Sequence, residues 1–145
     1  MVDFLSNTQA KDIMVRNVVY AHPHTTIKQL SEIFIENGIS GVPVVDQDRK
    51  IVGFVSQTDI VELDLHSDDY LESRMEETGG YVQDIMTPVV SCAHDTDLLA
   101  AIIDKMCTER MHRLLIVDAQ ENIAGIITTM DVMCYLQKIY KASQT

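Results

Sequence analysis

The chain is written twice. Gly53-Phe54-Val55-Ser56-Gln57-Thr58-Asp59 returns as Gly125-Ile126-Ile127-Thr128-Thr129-Met130-Asp131, a displacement of 72 positions. The same displacement pairs Asp12-Ile13-Met14 with Asp84-Ile85-Met86, Val45-Asp46 with Val117-Asp118, and Ile51 with Ile123. A repeat of this length is a supersecondary unit that cannot cover its own apolar face and needs a neighbour to do so. Two copies therefore predict one pseudo-symmetric body. Near the first strand, a displacement of 71 aligns Val18-Val19 with Val89-Val90 and Thr25 with Thr96, whereas 72 aligns Ala21-His22 with Ala93-His94.

Each half shows the same order of periodicities. Val18 to Ala21 reads as a short strand, and Ile27, Leu30 and Phe34 follow at the spacing of a helix with one buried face. Gly38 suits the left-handed residue that ends such a helix. Val42 to Val45 and Ile51 to Val55 are two further strands around the polar turn Asp46 to Lys50, and a helix begins at about Gln57. The second half repeats this with Leu99, Ile102 and Met106 on its helix, strands Leu114 to Val117 and Ile123 to Ile127, and a longer helix to about Tyr140. The expected fold class is α/β (α+β): two β-α-β-β-α units packed as a pseudo-two-fold pair. The continuous apolar strands imply burial on both faces. The expected organisation is a tail at 1–7, a first domain at 8–66, an acidic linker at 67–81, a second domain at 82–141 and a tail at 142–145.

At 145 residues the chain is long enough to bury about 70% of its unfolded surface without a covalent staple. Cys92, Cys107 and Cys134 lack CxxC or Cys/His ligand spacing and read as reduced core residues. No secretory pattern and no apolar run of membrane-spanning length occurs, so a cytoplasmic location is expected. The net charge of −11 disfavours nucleic acid and anionic lipid, whose binding requires basic side chains over phosphates. The acidic run from Glu62 to Glu77 lacks the ligand spacing and turn glycine of a calcium loop and reads as solvated linker.

Ser56 with Asp59, and Thr128 with Asp131, stand where a strand gives way to a helix. Two readings compete. One is a capping box, the hydroxyl accepting from the amide three residues on and the acid reaching back. The other is a ligand site, in which a helix N-terminus and hydroxyl suit a phosphate while the carboxylate accepts two hydrogen bonds from a ribose diol.

These elements, in this order and twice over, resemble a tandem pair of CBS (cystathionine β-synthase type) domains. The likeness rests on Asp12-Ile13-Met14 and Asp84-Ile85-Met86-Thr87-Pro88, on Val42-Pro43-Val44-Val45-Asp46 and Leu114-Leu115-Ile116-Val117-Asp118, and on the two Gly-x-x-Ser/Thr-x-x-Asp segments. The resemblance implies two clefts for adenosine-containing ligands: AMP, ADP or ATP, with S-adenosylmethionine or NAD as further candidates. It implies that Asp59 and Asp131 hold ribose hydroxyls and that Ser56 and Thr128 contact phosphate or ribose. By the same resemblance Val18, Val19, Val89 and Val90, with Val42, Pro43, Leu114 and Leu115, line adenine pockets, and Thr25 or Thr26 sits at their edge.

The halves differ at one place. Met111-His112-Arg113-Leu114 is similar to the His-Arg segment with which the gamma subunit of AMP-activated protein kinase approaches nucleotide phosphates, whereas the first half has Ile39-Ser40-Gly41-Val42. Arg113 can make a two-pronged, charge-assisted contact with phosphate oxygens; alternatively His112 and Arg113 only pair with the acidic surface. His22, His24, His66 and His94 show no shared metal spacing and read as surface residues. The methionines read as core or interface filler, and Met130, Met133, Leu136 and Tyr140 form a stripe that a homodimer would cover. The leading expectation is a stand-alone regulatory module without catalysis or bound cofactor, sensing adenine nucleotide and signalling to an unidentified protein. The alternative is a ligand-free dimerisation module.

Overall fold

The computed structural model describes residues 2–66, 80–88 and 91–144. Val89, Val90 and linker residues 67–79 lie outside the described residues. In chain order the elements are α1 (Val2–Asn7), α2 (Ala10–Ile13), α3 (Ile27–Asn37), β1 (Gly41–Val45), β2 (Ile51–Ser56), α4 (Gln57–His66), α5 (Val82–Ile85), β3 (Cys92–His94), α6 (Leu99–Thr108), β4 (Arg113–Val117), β5 (Ile123–Thr128) and α7 (Thr129–Ser143). The mixed α and β content in repeated order agrees with the fold class read from the sequence.

The compact units do not coincide with the sequence repeats. A central unit runs from Val19 to Val90, and a composite unit joins Met1–Val18 to Ser91–Thr145. The opening segment of each repeat thus packs on the body of the other. In the composite unit Gln9 bridges Leu98 and Val15 bridges Ile126; in the central unit Tyr81 bridges Thr26 and Thr87 bridges Phe54. These pairs are related by the 72-residue displacement, which settles the register without a gap. Ala10 and Met14 enter the composite core with Leu99, Ile102, Leu114 and Ile127, and Val82 enters the central core with Leu30, Val42 and Val55. Full burial of a side chain such as Val82 stabilises by about 1.5–2 kcal/mol, so each body depends on the other repeat's first residues.

Within the composite unit, β3 pairs parallel with β4 across α6, and β4 pairs antiparallel with β5. The central unit has the β1-β2 hairpin, but Val18 to Ala21 is not a strand. Only Ala21 pairs, in parallel, with Val44. Pro23 explains the difference. Its counterpart Asp95 donates its backbone N–H to the Val117 carbonyl, extending the ladder; proline has no N–H to donate. The corresponding Val45 carbonyl instead accepts from Nδ1 of His22 at 3.0 Å.

Helix α3 starts with a capping box between Thr26 and Gln29 and buries Ile27, Leu30 and Phe34. It ends at Gly38, φ +60°, with the Ile39 N–H returning to the Phe34 carbonyl. Helix α6 buries Leu99, Ile102 and Met106 and ends in the same way, the Met111 N–H returning to Met106, but Arg110 occupies the left-handed position at φ +53°. A side chain there costs about 1 kcal/mol relative to glycine. All of β1 after Gly41 and all of β4 after Arg113 is buried, as continuous apolar strands require.

Several expectations need correction. Residues 1–7 are not simply a tail: Val2–Asn7 is helical, and Phe4 and Leu5 pack on the composite core. Cys92 is half-buried, while Cys107 and Cys134 are exposed rather than core residues. Cys107 follows the buried Met106 by 100° around α6 and so turns outward, and α7 has no fully buried residue at all. Met14 and Met106 are core residues, whereas Met130, Met133 and Tyr140 are more than 60% exposed.

Candidate functional site

In both units a buried strand ends at a hydroxyl residue and a helix starts at once. In the central unit the backbone N–H of Ser56 donates to Oδ2 of Asp59 at 2.8 Å, the Ser56 hydroxyl donates to the same oxygen at 3.2 Å, and the Asp59 N–H approaches Oγ of Ser56 at 3.4 Å. In the composite unit the Thr128 N–H donates to Oδ2 of Asp131 at 2.8 Å, and the Asp131 N–H donates to the Thr128 hydroxyl at 3.1 Å. The capping reading is therefore correct. It does not exhaust the carboxylates: the described bonds use Oδ2 in each case, and both acids are only half-buried. Oδ1 remains available as an acceptor, already oriented by the cap. The preceding loop satisfies the first helical amide, Gln57 N–H donating to the Ser40 carbonyl and Thr129 N–H to that of His112.

The units differ directly opposite the hydroxyl. Ser56 stands across the ladder from Gly41, and Thr128 from Arg113. Directly opposed residues share one face of a sheet, so the half-buried Arg113 belongs to the same sheet end as Thr128 and Asp131. His112 is exposed and adjoins α7 through its backbone carbonyl. The composite site thus combines a hydroxyl, a carboxylate and a guanidinium; the central site has only the first two. That arrangement can hold hydroxyls and, in the composite unit, an anion.

The remaining candidates are distributed unevenly. Val42 and Leu114 lie within the two cores, while Pro43 and Leu115 alternate to the opposite strand face, where they too are buried. Thr26 is committed to capping α3, and the Thr25 hydroxyl accepts from the His22 N–H at 3.0 Å. Val18 and Val19 are half-buried and fall either side of the boundary between units. Val89 and Val90 are outside the described residues.

The repeated glycine has a role that its position in the motif did not disclose. A Cβ on Gly53 would stand 2.7 Å from Sδ of Met86 and 2.7 Å from the Thr87 carbonyl oxygen; on Gly125 it would stand 2.6 Å from Sδ of Met14 and 2.9 Å from the Val15 carbonyl oxygen. The glycine admits the exchanged opening segment. Asp-Ile-Met and the glycine recur at the same displacement, but nothing in the sequence says that they meet.

His94 Nε2 lies 2.7 Å from Oε1 of Glu121, and this hydrogen bond raises the imidazole pKa above its ordinary value. Burial pushes the Cys92 thiol up, with Glu121 adding to the effect. Among the described residues no three His, Cys, Asp or Glu side chains converge as metal ligands, and no helix is long and apolar enough to cross a membrane.

Comparison with known proteins accounts for the repeated architecture. The CBS domain family matches residues 10–66 and 82–138. The structure of Arabidopsis thaliana CBSX2 in complex with AMP superposes with a TM-score of 0.79 at 27% identity, covering 91% of this chain and 98% of that one. The CBS domain pair of protein MJ0100, in complex with 5′-methylthioadenosine and S-adenosylmethionine, gives a TM-score of 0.74 at 25% identity, covering 89% and 99%. Inosine-5′-monophosphate dehydrogenase of Methanocaldococcus jannaschii is 28% identical over 125 residues, 86% of this chain but 23% of that enzyme. The chain spans less than half the length of the first three curated relatives it matches. With two complete matches that together cover most of its length, the chain belongs to the CBS domain family.

Proposed function

We propose that this chain is a regulatory module that binds an adenosine-containing ligand, with AMP, ADP or ATP favoured over S-adenosylmethionine or NAD, and transmits occupancy to a protein partner. The observation that carries this reading is the carboxylate pair: Asp59 and Asp131 are each fixed by a cap through Oδ2, leaving Oδ1 for a ribose hydroxyl. The AMP complex of a relative matched along almost its whole length supports the ligand class. Arg113 favours phosphate at the composite site, and its replacement by Gly41 leaves the central site suited to a nucleoside or a less charged ligand. In this reading Asp59 and Asp131 serve binding.

We also place the domains of this reading at 8–66 and 82–141, in a cytoplasmic chain acting as a homodimer. Support for the dimer comes from α7, where Met130, Met133 and Tyr140 are exposed, and from Val61 at the α4 position equivalent to Met133.

The test is calorimetry and thermal melting with AMP, ATP, S-adenosylmethionine and NAD. AMP raises the melting temperature of the wild type. Asp131→Ala lowers the unliganded stability by about 1 kcal/mol through its lost cap and, separately, abolishes most of the ligand-induced rise. Absence of heat and of stabilisation with all four compounds would favour the ligand-free dimerisation module.

A further inference from the structure

We propose that Tyr135 couples helix α1 to the ligand-facing turn of α7, so that docking of α1 reports the state of the Asp131 site. The proposal rests on the reading of Asp131 as a ligand-holding carboxylate for its signalling role, but the mechanical coupling stands on contacts within the composite unit. Tyr135 lies four residues after Asp131, one turn along the same face of α7. Its hydroxyl is 2.7 Å from Oγ1 of Thr8, and its ring meets that of Phe4 edge-on at 6.1 Å between centroids. Thr8 is 8% exposed, buried although polar. Its carbonyl accepts from the Leu99 N–H at the start of α6, and its own N–H closes α1 on the Phe4 carbonyl. One residue therefore ties α1, α6 and α7 together.

A helix of six residues is too short to persist by its own hydrogen bonds. Helix α1 is held on the composite core by Phe4 and Leu5, and it is tied to α7 through Tyr135, by the Phe4 ring contact and the Thr8 hydroxyl bond. Among the described residues of the central unit, the positions equivalent to Thr8 and Tyr135 cannot form this bond. Leu63 stands where Tyr135 does, without a hydroxyl, and Gly80 stands where Thr8 does, without a side chain; the backbone bond from the Ile27 N–H to the Gly80 carbonyl is kept. The coupling is thus a property of the site that also has Arg113. By linkage, whatever orders the first turn of α7 favours docked α1, and docking α1 raises ligand affinity by the same factor.

Hydrogen exchange on the full chain tests this with the wild type, Tyr135→Phe, Thr8→Val and the double variant. Tyr135→Phe keeps the ring contact with Phe4, and Thr8→Val keeps the shape. Without ligand, each single variant speeds exchange of the α1 amides about three- to tenfold, the value of one partly buried hydrogen bond, and also speeds exchange at residues 129–132. The double variant matches the singles, because all three remove one bond. Faster α1 exchange with the first turn of α7 unchanged overturns the coupling. With saturating AMP, α1 exchange slows in the wild type and slows less in the variants. If AMP raises the melting temperature yet leaves α1 exchange unchanged, the signalling role is wrong. If AMP moves neither quantity, the ligand reading and the signalling role both fail, and the ligand-free exchange alone decides the mechanical coupling.

Discussion

The central and composite units are built from the same repeat in the same register, yet they are equipped differently. Each has a hairpin, a strand-to-helix junction capped by hydroxyl and acid, and an exchanged opening segment seated over a glycine. Among the described residues, the composite unit alone has the complete β3 strand, Arg113 opposite the capping hydroxyl, the Thr8–Tyr135 bond and the His94–Glu121 pair. What is shared is what the fold needs; what differs is what the proposed function uses to distinguish the two sites.

The comparison breaks most decisively at the shared glycines. Gly53→Ala and Gly125→Ala should each cost about 2–3 kcal/mol, because the added methyl meets a methionine sulfur and a backbone carbonyl in both units. Denaturant unfolding measures this, and a near-neutral result in one unit would mean that its exchanged segment is loosely seated. Arg113→Ala should weaken AMP by roughly tenfold or more, the scale of a hydrogen bond to a charged group, while leaving adenosine nearly unaffected. Equal loss for both ligands in calorimetry would remove phosphate from the role of Arg113. In the opposite direction, Arg110→Gly should stabilise the chain by about 1 kcal/mol, since α3 already ends with glycine at that position. A thermal melt that does not rise would show that the arginine side chain makes compensating contacts.

The smallest effect is a pH dependence at the His94–Glu121 pair of the composite unit. Glu121 raises the folded-state pKa of His94 above its ordinary 6.5, so protonated His94 favours the folded state. That contribution is complete below the unfolded value and is lost as pH rises through the higher folded value. The pair is at the surface, and salt should weaken it. Glu121→Gln should shrink the step in a stability–pH profile, since Glu121 is the largest of the acidic groups acting on His94.

Helix positions with a single buried face were plain from spacing: Ile27, Leu30 and Phe34, then Leu99, Ile102 and Met106, are all buried as the period requires. The missing first strand was also available in the sequence, because Pro23 cannot donate the bond that Asp95 makes; periodicity alone overlooked it. The caps at Ser56–Asp59 and Thr128–Asp131 were legible from the hydroxyl-x-x-acid spacing, and the proposed ligand reading adds a role for the second carboxylate oxygen. The exposure of Cys107 and Cys134 was not, because apolar neighbours in sequence lie on another face of a helix. Tyr135 with Thr8 was invisible, its partners being separated by 127 residues with nothing local to link them.

The sequence by itself determined the repeat, the order of elements, the helix faces and the two hydroxyl–acid junctions, all of which depend on short-range spacing and turn chemistry. Which body each opening segment completes, the close approach that Gly53 and Gly125 permit, and the place of Arg113 across the ladder from Thr128 emerge from the folded chain alone. Those facts depend on strand pairing and close approach between distant residues. The period of a sequence records which face a side chain takes, but not which remote backbone will fill the space beside it.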